Sequence, residues 1–147
     1  MAFRKEPVHT HGQAPGTAIL LCNLGTPEAP TPAALRRYLA EFLGDHRVVE
    51  IPKPLWWLIL HGIILRVRPA KSAAKYASIW MPEGSPLKVW TERQAAALQD
   101  RLQKQGHRLT VRYAMRYGQP SIAATLDALK TEGVTRVLVL PAYPQYS

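Results

Sequence analysis

Cysteine is almost absent from this chain, since Cys22 is the only one among 147 residues. A single cysteine excludes an internal disulfide framework and any multi-cysteine metal or cluster site built from this chain alone. Cys22 lies inside an apolar run, where a thiol ordinarily behaves as a small hydrophobic side chain. We therefore interpret it as a buried structural residue.

Long hydrophobic runs are also missing. The longest, LWWLILHGIIL at 55–65, is too short to span a bilayer as a helix. The first fifteen residues are polar and interrupted by proline, without the apolar core of a secretory signal. We expect residues 1–15 to form a disordered leader, and His9 and His11 within it not to form a metal site. These features predict a cytoplasmic protein that can touch a membrane but does not cross it.

Acidic residues are scarce relative to basic ones. Ten Asp and Glu stand against 19 Lys and Arg, which gives a formal net charge of +9. This excess favours anionic partners, namely nucleic acid, acidic lipid headgroups or small molecules with carboxylates. The alternative is a basic surface without a specialised partner. At 47% hydrophobic and 20% charged, the composition is that of a globular domain.

Phosphate-binding motifs and catalytic triads are not found. Neither G-x-G-x-x-G nor G-x-x-x-x-G-K-[ST] follows any predicted strand, which weakens a nucleotide-binding function. No Ser-His-Asp or Cys-His arrangement can be assembled. His46, His61 and His107 are isolated at predicted helix ends or in the apolar segment, and we interpret each as structural.

The stretch Gly16–Pro27, GTAILLCNLGTP, is the most informative part of the chain. Residues 17–23 are mostly apolar without helical spacing and are followed by Gly-Thr-Pro, the pattern of a strand buried on both faces. A helical pattern comes next, which predicts the α/β class with this strand in a parallel sheet. Ligands of such sheets bind beyond the carboxyl ends of the strands. Residues 23–26 are therefore expected to form the floor of a binding site.

The rest of the pattern alternates helical and extended segments. The last three elements predict a right-handed β-α-β unit with parallel strands. The long connection between the first two strands is expected to contain three or more helices covering the crevice. No covering helix follows the last strand, so we expect the chain to be cut within a domain, leaving an uncovered sheet face. The apolar segment at 56–67 is either packed in the core or displayed at a lipid or hydrophobic-ligand surface, and we favour core packing because tryptophans are highly buried on average. The other predicted elements are a helix over 31–44, an extended segment at 48–51, a loop then a short helix at 72–80, a turn at 81–86, a helix from Leu87 to Gly106 with Leu87, Trp90, Ala95, Leu98 and Leu102 on one face, a strand at 108–115, a helix from Pro120 to Gly133 and a buried strand at 136–140.

Three loops at predicted strand ends, 24–27, 115–119 and 141–147, are expected to converge. In the second, Arg116 is suited to a carboxylate or phosphate, because its planar guanidinium can bind two oxygens at once. The alternative is a surface arginine beside a satisfied core tyrosine, Tyr117. The third loop groups hydrogen-bonding and aromatic side chains that suit a flat aromatic ligand, namely Tyr143, Gln145, Tyr146 and Ser147.

Five motifs occur in a distinctive order and spacing. They are NLGTP at 23–27, RPAKSAAKY at 68–76, GSPLKVWTERQ at 84–94, MRYGQPSI at 115–122 and LPAYPQYS at 140–147. Together they resemble the amino-terminal half of the ferrochelatase family, over nearly the whole chain from about Gly16 onward. Any one of these motifs would be weak, but the five in order make the resemblance specific.

The resemblance implies a reaction and its substrates. Ferrochelatases insert Fe²⁺ into a dicarboxylate porphyrin, converting protoporphyrin IX to haem b in the last step of haem biosynthesis. Both Fe²⁺ and porphyrin are substrates, and no cofactor is implied in this chain. The family has two similar Rossmann-like halves with the porphyrin cleft between them. Residues 16–147 would be the amino-terminal half, with a helical lip insertion at about 45–86 and the second half absent.

The resemblance also implies what each position does. The family's general-base histidine and its glutamate lie in the second half, so no catalytic residue and no metal ligand is expected here, and this chain alone is expected to be inactive. Leu24 falls where the family places a methionine or tyrosine against the porphyrin, a contact that leucine keeps without being able to ligate iron. The other implied porphyrin-binding residues are Arg116 and Tyr117 on the metal-entry side, Arg68 facing a propionate, and Ser85 in the Gly-Ser-Pro turn.

The resemblance further implies a use for the apolar segment. Trp56 and Trp57 fall on the family's lip helix, which closes over the macrocycle and can face a membrane. A peripheral membrane contact is therefore expected, and no nucleic-acid partner. A function of another class stays open, namely a non-catalytic α/β module that binds an anionic aromatic ligand.

Overall fold

A three-stranded parallel sheet lies at the centre of the computed structural model, which describes residues 16–143. Its strands are β1 (Gly16–Gly25), β2 (Thr110–Tyr117) and β3 (Val134–Pro141), in the spatial order β2-β1-β3. Because helices pack against both faces of the sheet at β1, its middle residues are buried on both faces. The predicted α/β class and the central first strand are confirmed, in agreement with a Rossmann-like half.

Helices flank this sheet and supply most of the long connection between β1 and β2. The connection contains four α-helices and one π-helical turn, which confirms the expectation of three or more helices. Residues 48–51, expected to be extended, instead belong to an irregular turn between the first two helices. The elements are α1 (Pro32–Gly44), α2 (Lys53–Ile59), the π-helical turn Leu60–Ile64, α3 (Leu65–Ile79), α4 (Pro86–Lys104) and, between β2 and β3, α5 (Ile122–Thr131).

The sheet is covered on its two faces by different helices. On one face, Leu21 and Val111 pack with Ala95 of α4. On the other face, Leu20, Cys22 and Ala114 form a buried group against which Ile122 of α5 packs. The alternation of side chains along β1 therefore divides its apolar residues between α4 and α5.

Three helices begin directly after a capping residue. The hydroxyls of Thr31, Ser85 and Ser121 each accept a hydrogen bond from the backbone N–H three residues later, at 3.2 to 3.3 Å. Each hydroxyl satisfies one of the N–H groups that a helix start leaves without a partner. In α1 and α4 a proline follows the cap directly, with its φ angle already set for a helix.

An apolar cluster fills the space between α1, the helices after it and the end of β2. We call it the strand-end cluster. Trp56 and Leu24 pack against its edge, and the Trp56 Nε1–H donates to the carbonyl of Leu43 at 2.7 Å, which satisfies a carbonyl at the end of α1. This packing holds the helices of the long connection near the carboxyl edge of the sheet. The buried members of the cluster are Tyr38, Leu39, Leu43, Leu60, Leu65 and Tyr117.

The segment from α2 to α3 is helical throughout, which corrects the predicted loop around Arg68 and the predicted helix start at 72. Pro69 lies inside α3, although proline usually ends a helix. Pro69 and Ala73 are buried, and α3 packs along α1. Tertiary packing therefore outweighs the local preference for a break.

Core packing of the apolar segment 56–67 is also corrected. Leu60 is buried and Trp56 half-buried, but Trp57 is 61% exposed. The segment has two faces. Residues four or five positions apart, beginning with Trp56 and Leu60, form the stripe that faces α1, and the other face is open to solvent. The exposed face consists of Leu55, Trp57, Leu58, Ile63 and Val67.

Two more expectations about burial are wrong. On α4 the side chains of Leu87 and Trp90 are exposed, while Val89, Thr91 and Ala95 are buried. Strand β3, expected to be buried, is exposed along most of its length, whereas β2, the other edge strand, is largely buried because α4 and α5 pack against it. The exposure of β3 agrees with the expected uncovered sheet face.

Residues 1–15 and 144–147 lie outside the described residues. The predicted leader and Gln145, Tyr146 and Ser147 of the third loop belong to them. Within 16–143, none of the helices has both the length and the apolar character needed to cross a membrane.

Candidate functional site

The tips of β1 and β2 interlock at the carboxyl edge of the sheet. Gly25 pairs with Tyr117 and has a φ of +121°, and a Cβ atom at Gly25 would overlap the backbone of Tyr117. Gly118 has a φ of +86°, and a Cβ atom there would lie 2.8 Å from the carbonyl oxygen of Thr26. Glycine is therefore required at both positions. This close approach confirms that the first two predicted loops converge.

Leu24 is half-buried at this edge and packs against the strand-end cluster that contains Tyr117. Its backbone N–H donates to the Asn23 side chain at 2.8 Å. The Asn23 amide in turn donates to the hydroxyl of Thr91 on α4 at 2.9 Å, and both side chains are buried. The tip of β1 is thus held to α4 by a satisfied buried polar pair.

Arg116 and Tyr117 are the last two residues of β2. The strand therefore extends two residues beyond its predicted end at 115. Both residues bind one atom, the Oδ2 of Asp45 just after α1: the Arg116 Nη2–H donates at 2.7 Å and the Tyr117 hydroxyl at 3.1 Å. The Asp45 side chain is 14% exposed and that of Arg116 36%. Asp45 thus supplies a carboxylate partner for Arg116 within the chain, and a ligand carboxylate or phosphate at Arg116 stays a prediction.

The surroundings lower the pKa of Asp45 and raise the pKa of Tyr117. The backbone N–H of Arg47, the Tyr117 hydroxyl and the Arg116 charge hold the pKa of Asp45 below its ordinary value, although burial acts against them. Burial and the Asp45 carboxylate raise the pKa of Tyr117. At neutral pH the group therefore consists of a carboxylate, a guanidinium and a neutral phenol.

Aromatic contacts hold Tyr117 in place. Its ring and that of Phe42 meet edge to face with 5.1 Å between centroids, and the Arg116 guanidinium lies 5.0 Å from the centre of the Tyr117 ring. The Glu41 carboxylate accepts a hydrogen bond from the backbone N–H of Gly118 at 2.9 Å. The last turn of α1 thus contacts the end of β2 at several points.

The other two predicted site residues lie on different elements. Ser85 is 2% exposed and its hydroxyl caps α4, so its side chain already has a structural partner. Arg68 is exposed on α3, and no partner for its guanidinium is found within residues 16–143. The structure therefore brings Leu24, Arg116 and Tyr117 together through the strand-end cluster, and the porphyrin contacts of all five residues stay predictions.

The third predicted loop is described only as far as Tyr143. The backbone N–H of Ala142 donates to the carbonyl of Cys22 at 2.7 Å, which keeps this loop against β1. Tyr143 packs against the group formed by Leu20, Cys22 and Ala114, on the face covered by α5. Its ring is therefore part of the packing beneath that helix.

A groove of about 290 Å³ lies beside the strand ends, between the end of α1 and α2. Asp45 borders this groove and also binds Arg116, so it belongs both to the groove and to the group it forms with Arg116 and Tyr117. His61 borders it too and stacks on Trp57 at 4.8 Å between ring centroids. No group of three or more His, Cys, Asp or Glu within the described part of the chain is arranged to hold a metal ion.

The family model described as ferrochelatase matches residues 16–147. The chain belongs to the ferrochelatase family. Among its ferrochelatase relatives, one from Polaromonas sp. is 69% identical over 151 residues, covering all of this chain and 41% of the relative. One from Methylibium petroleiphilum is 67% identical and one from Dechloromonas aromatica 65% identical. They cover 100% and 99% of this chain and 40% of each relative, so the chain spans about 40% of the length of these ferrochelatases.

The sequence did not point to Asp45, the residue that joins Arg116 and Tyr117, two of the predicted site residues. An aspartate directly after a helix-ending glycine is an ordinary surface residue by pattern, and Arg116 is 71 residues away. No spacing rule connects positions so far apart. The available hint was that α1 and β2 both end at the same edge of the sheet.

Proposed function

We propose that this chain forms one wall of the porphyrin cleft in a ferrochelatase that inserts Fe²⁺ into a dicarboxylate porphyrin. The observation that carries the proposal is the family match over residues 16–147, with up to 69% identity among the relatives named above. The grouping of Leu24, Arg116 and Tyr117 at the carboxyl edge of the sheet supports it, because ligands of parallel α/β sheets bind there.

Each residue of this wall has a role that its chemistry suits. Leu24 supplies an apolar contact to the face of the macrocycle and has no atom that could ligate iron. Tyr117 offers a ring face and edge, and its neutral phenol is held by Asp45. Arg116 uses Nη2 for Asp45 and keeps its other N–H groups for a partner in the cleft. Arg68 is an exposed cation suited to a propionate.

The reaction exchanges protons for metal. Fe²⁺ enters as the two pyrrole N–H protons leave, so the products are haem and two protons. Binding that bends the macrocycle exposes the pyrrole nitrogens, which is substrate distortion supported by contacts remote from the metal. The resemblance implies a histidine as general base, in a part of the longer protein that these residues do not include.

A chimera tests this function. The 147 residues replace the matched segment of the Polaromonas relative, and Zn²⁺ or anaerobic Fe²⁺ insertion into a dicarboxylate porphyrin is followed by absorbance. We expect the chimera to insert metal at a rate within about tenfold of the parent, and the 147-residue chain alone to show no turnover. A folded chimera without activity, beside an active parent, would contradict the proposed function.

The alternative of a non-catalytic binding module predicts a different result. Such a module would bind the porphyrin with the 147-residue chain alone, saturably, and the chimera would show no metal insertion. Turnover by the 147-residue chain alone would instead show that the general base lies within these residues. A porphyrin titration followed by absorbance, in parallel with the insertion assay, separates these outcomes.

We also propose that the enzyme is cytoplasmic and contacts the membrane surface through the exposed face of α2 and α3. This face combines the five large apolar residues named above with the exposed basic residues Lys53, Arg66, Arg68, Lys71 and Lys75. Apolar side chains next to cations suit an interface with anionic lipids.

Liposome sedimentation tests the membrane contact. We expect Trp57→Ser to reduce binding to anionic vesicles several-fold and Trp90→Ser to leave it unchanged. Trp90 is a matched control because it is 55% exposed on α4, against 61% for Trp57 on α2. Equal loss with the two variants, or no binding to anionic vesicles by the chimera, would contradict the contact. Binding that ignores lipid charge would remove its electrostatic part.

A further inference from the structure

Asp45 is a partly buried junction between two parts of the chain that are distant in sequence. Its Oδ2 accepts from both Arg116 at 2.7 Å and Tyr117 at 3.1 Å, which are consecutive residues at the end of β2. Consecutive strand residues point to opposite faces, so two side chains that diverge from the strand converge again on one oxygen. This arrangement fixes the direction of both side chains at once.

Asp45 is itself held by the backbone around it. Its Oδ1 accepts from the Arg47 N–H at 3.0 Å, and its carbonyl accepts from Val48 at 2.9 Å and Val49 at 3.2 Å. Both carboxylate oxygens are therefore occupied. A carboxylate anchored to the turn after α1 gives the side chains of β2 a rigid partner, whereas an exposed acid would move with its own rotamers.

We propose that Asp45 is the positioning residue that orients Arg116 and Tyr117 toward the cleft and offsets the positive charge of Arg116 there. This inference rests on the proposed function, which makes the carboxyl edge of the sheet a cleft wall. An unpaired guanidinium there would repel an incoming dication, and the adjacent carboxylate reduces that repulsion. Asp45 touches neither substrate in this proposal and acts through its two partners.

The test compares Asp45→Asn, Asp45→Ala, Arg116→Ala and the double variant Asp45→Ala/Arg116→Ala in the chimera. Asp100→Asn is the matched control, since Asp100 also accepts from a cation at 2.7 Å, that of Lys104, but on the exposed side of α4. Asp45→Asn keeps the shape of the side chain and removes its charge, so it remains informative if the alanine variant does not fold.

We expect Asp45→Asn to lower kcat/KM about tenfold, with KM rising more for the metal than for the porphyrin, and Asp100→Asn to change it less than twofold. The double alanine variant should be within about twofold of Arg116→Ala alone, because residues that act as a unit are not additive. The proposal would be overturned if the double variant lost kcat/KM by the product of the two single-variant losses. It would also be overturned if Asp45→Asn kept the wild-type kcat/KM.

A second measurement is independent of catalysis. The ¹⁵N-coupled side-chain NMR signal of Arg116 should shift and sharpen toward that of a freely rotating guanidinium in Asp45→Asn, but not in Asp100→Asn. An unchanged Arg116 signal in Asp45→Asn would overturn the positioning role. If the unsubstituted chimera inserts no metal, the proposed function fails, while this signal still decides whether Asp45 orients Arg116.

Discussion

The Oδ2 atom of Asp45 lies 2.7 Å from Nη2 of Arg116, although 71 residues separate them in the chain. The contact joins the end of α1 to the end of β2, on the edge where ligands of parallel sheets bind. It gives this edge of the sheet an ion pair that is only partly exposed to solvent. The following predictions concern this pair and the strand tips beside it.

Arg116→Ala should reduce catalysis more than stability in the chimera. We expect kcat/KM to fall at least tenfold and the free energy of unfolding to fall by no more than about 1 kcal/mol, because the pair is partly screened by solvent. Arg112→Ala is the matched control, since Arg112 lies on the same strand and pairs with Glu132 at 3.2 Å. Urea unfolding and the insertion assay measure the two effects. A large loss of stability with normal activity per folded molecule would show that Arg116 is structural.

The stabilisation supplied by Asp45 should depend on pH with a defined sign. Its pKa in the folded chain lies below the ordinary value of 3.8, so the folded state favours the carboxylate. The contribution is therefore present above about pH 4 and is lost as the pH falls through the lower, folded pKa. Unfolding of the unsubstituted chain and Asp45→Asn between pH 2 and 7 should converge at the acidic end. Curves that stay parallel across this range would contradict the lowered pKa.

Gly25→Ala should destabilise the chain by about 2 kcal/mol or more, because alanine disfavours a positive φ and its Cβ would overlap the Tyr117 backbone. Gly44→Ala is the control, since a Cβ there meets open space at the end of α1. That variant should be neutral or slightly stabilising. Urea unfolding of the two variants gives the comparison, and equal stability of both would contradict the interlocked strand tips.

Cys22 should resist thiol reagents in the folded chain. It is 2% exposed in the middle strand, and burial raises its pKa, so little reactive thiolate is present near neutral pH. Alkylation at pH 7.5 followed by mass spectrometry should be at least a hundredfold slower in buffer than in urea that unfolds the chain. Rapid labelling without urea would show that the centre of the sheet opens.

Much of the fold could be predicted because its signals are local. The apolar run after Gly16 predicted a strand buried on both faces, and the helical pattern after it predicted α1 over 31–44. Errors arose where packing decided the outcome. Pro69 continues a helix because α3 packs along α1, and Trp57 is exposed because only one stripe of its helix faces that neighbour.

The sequence by itself determined the α/β class, the family resemblance and the presence of Leu24, Arg116 and Tyr117 at strand ends, because periodicity, caps and ordered motifs are all written in neighbouring residues. Only the tertiary structure decided that Asp45 joins the last two, that Ser85 is committed to a helix cap, and that β3 is exposed. These outcomes depend on which distant segments meet across the sheet. Contacts between residues far apart in the chain follow from packing, and packing is specified by the whole core together.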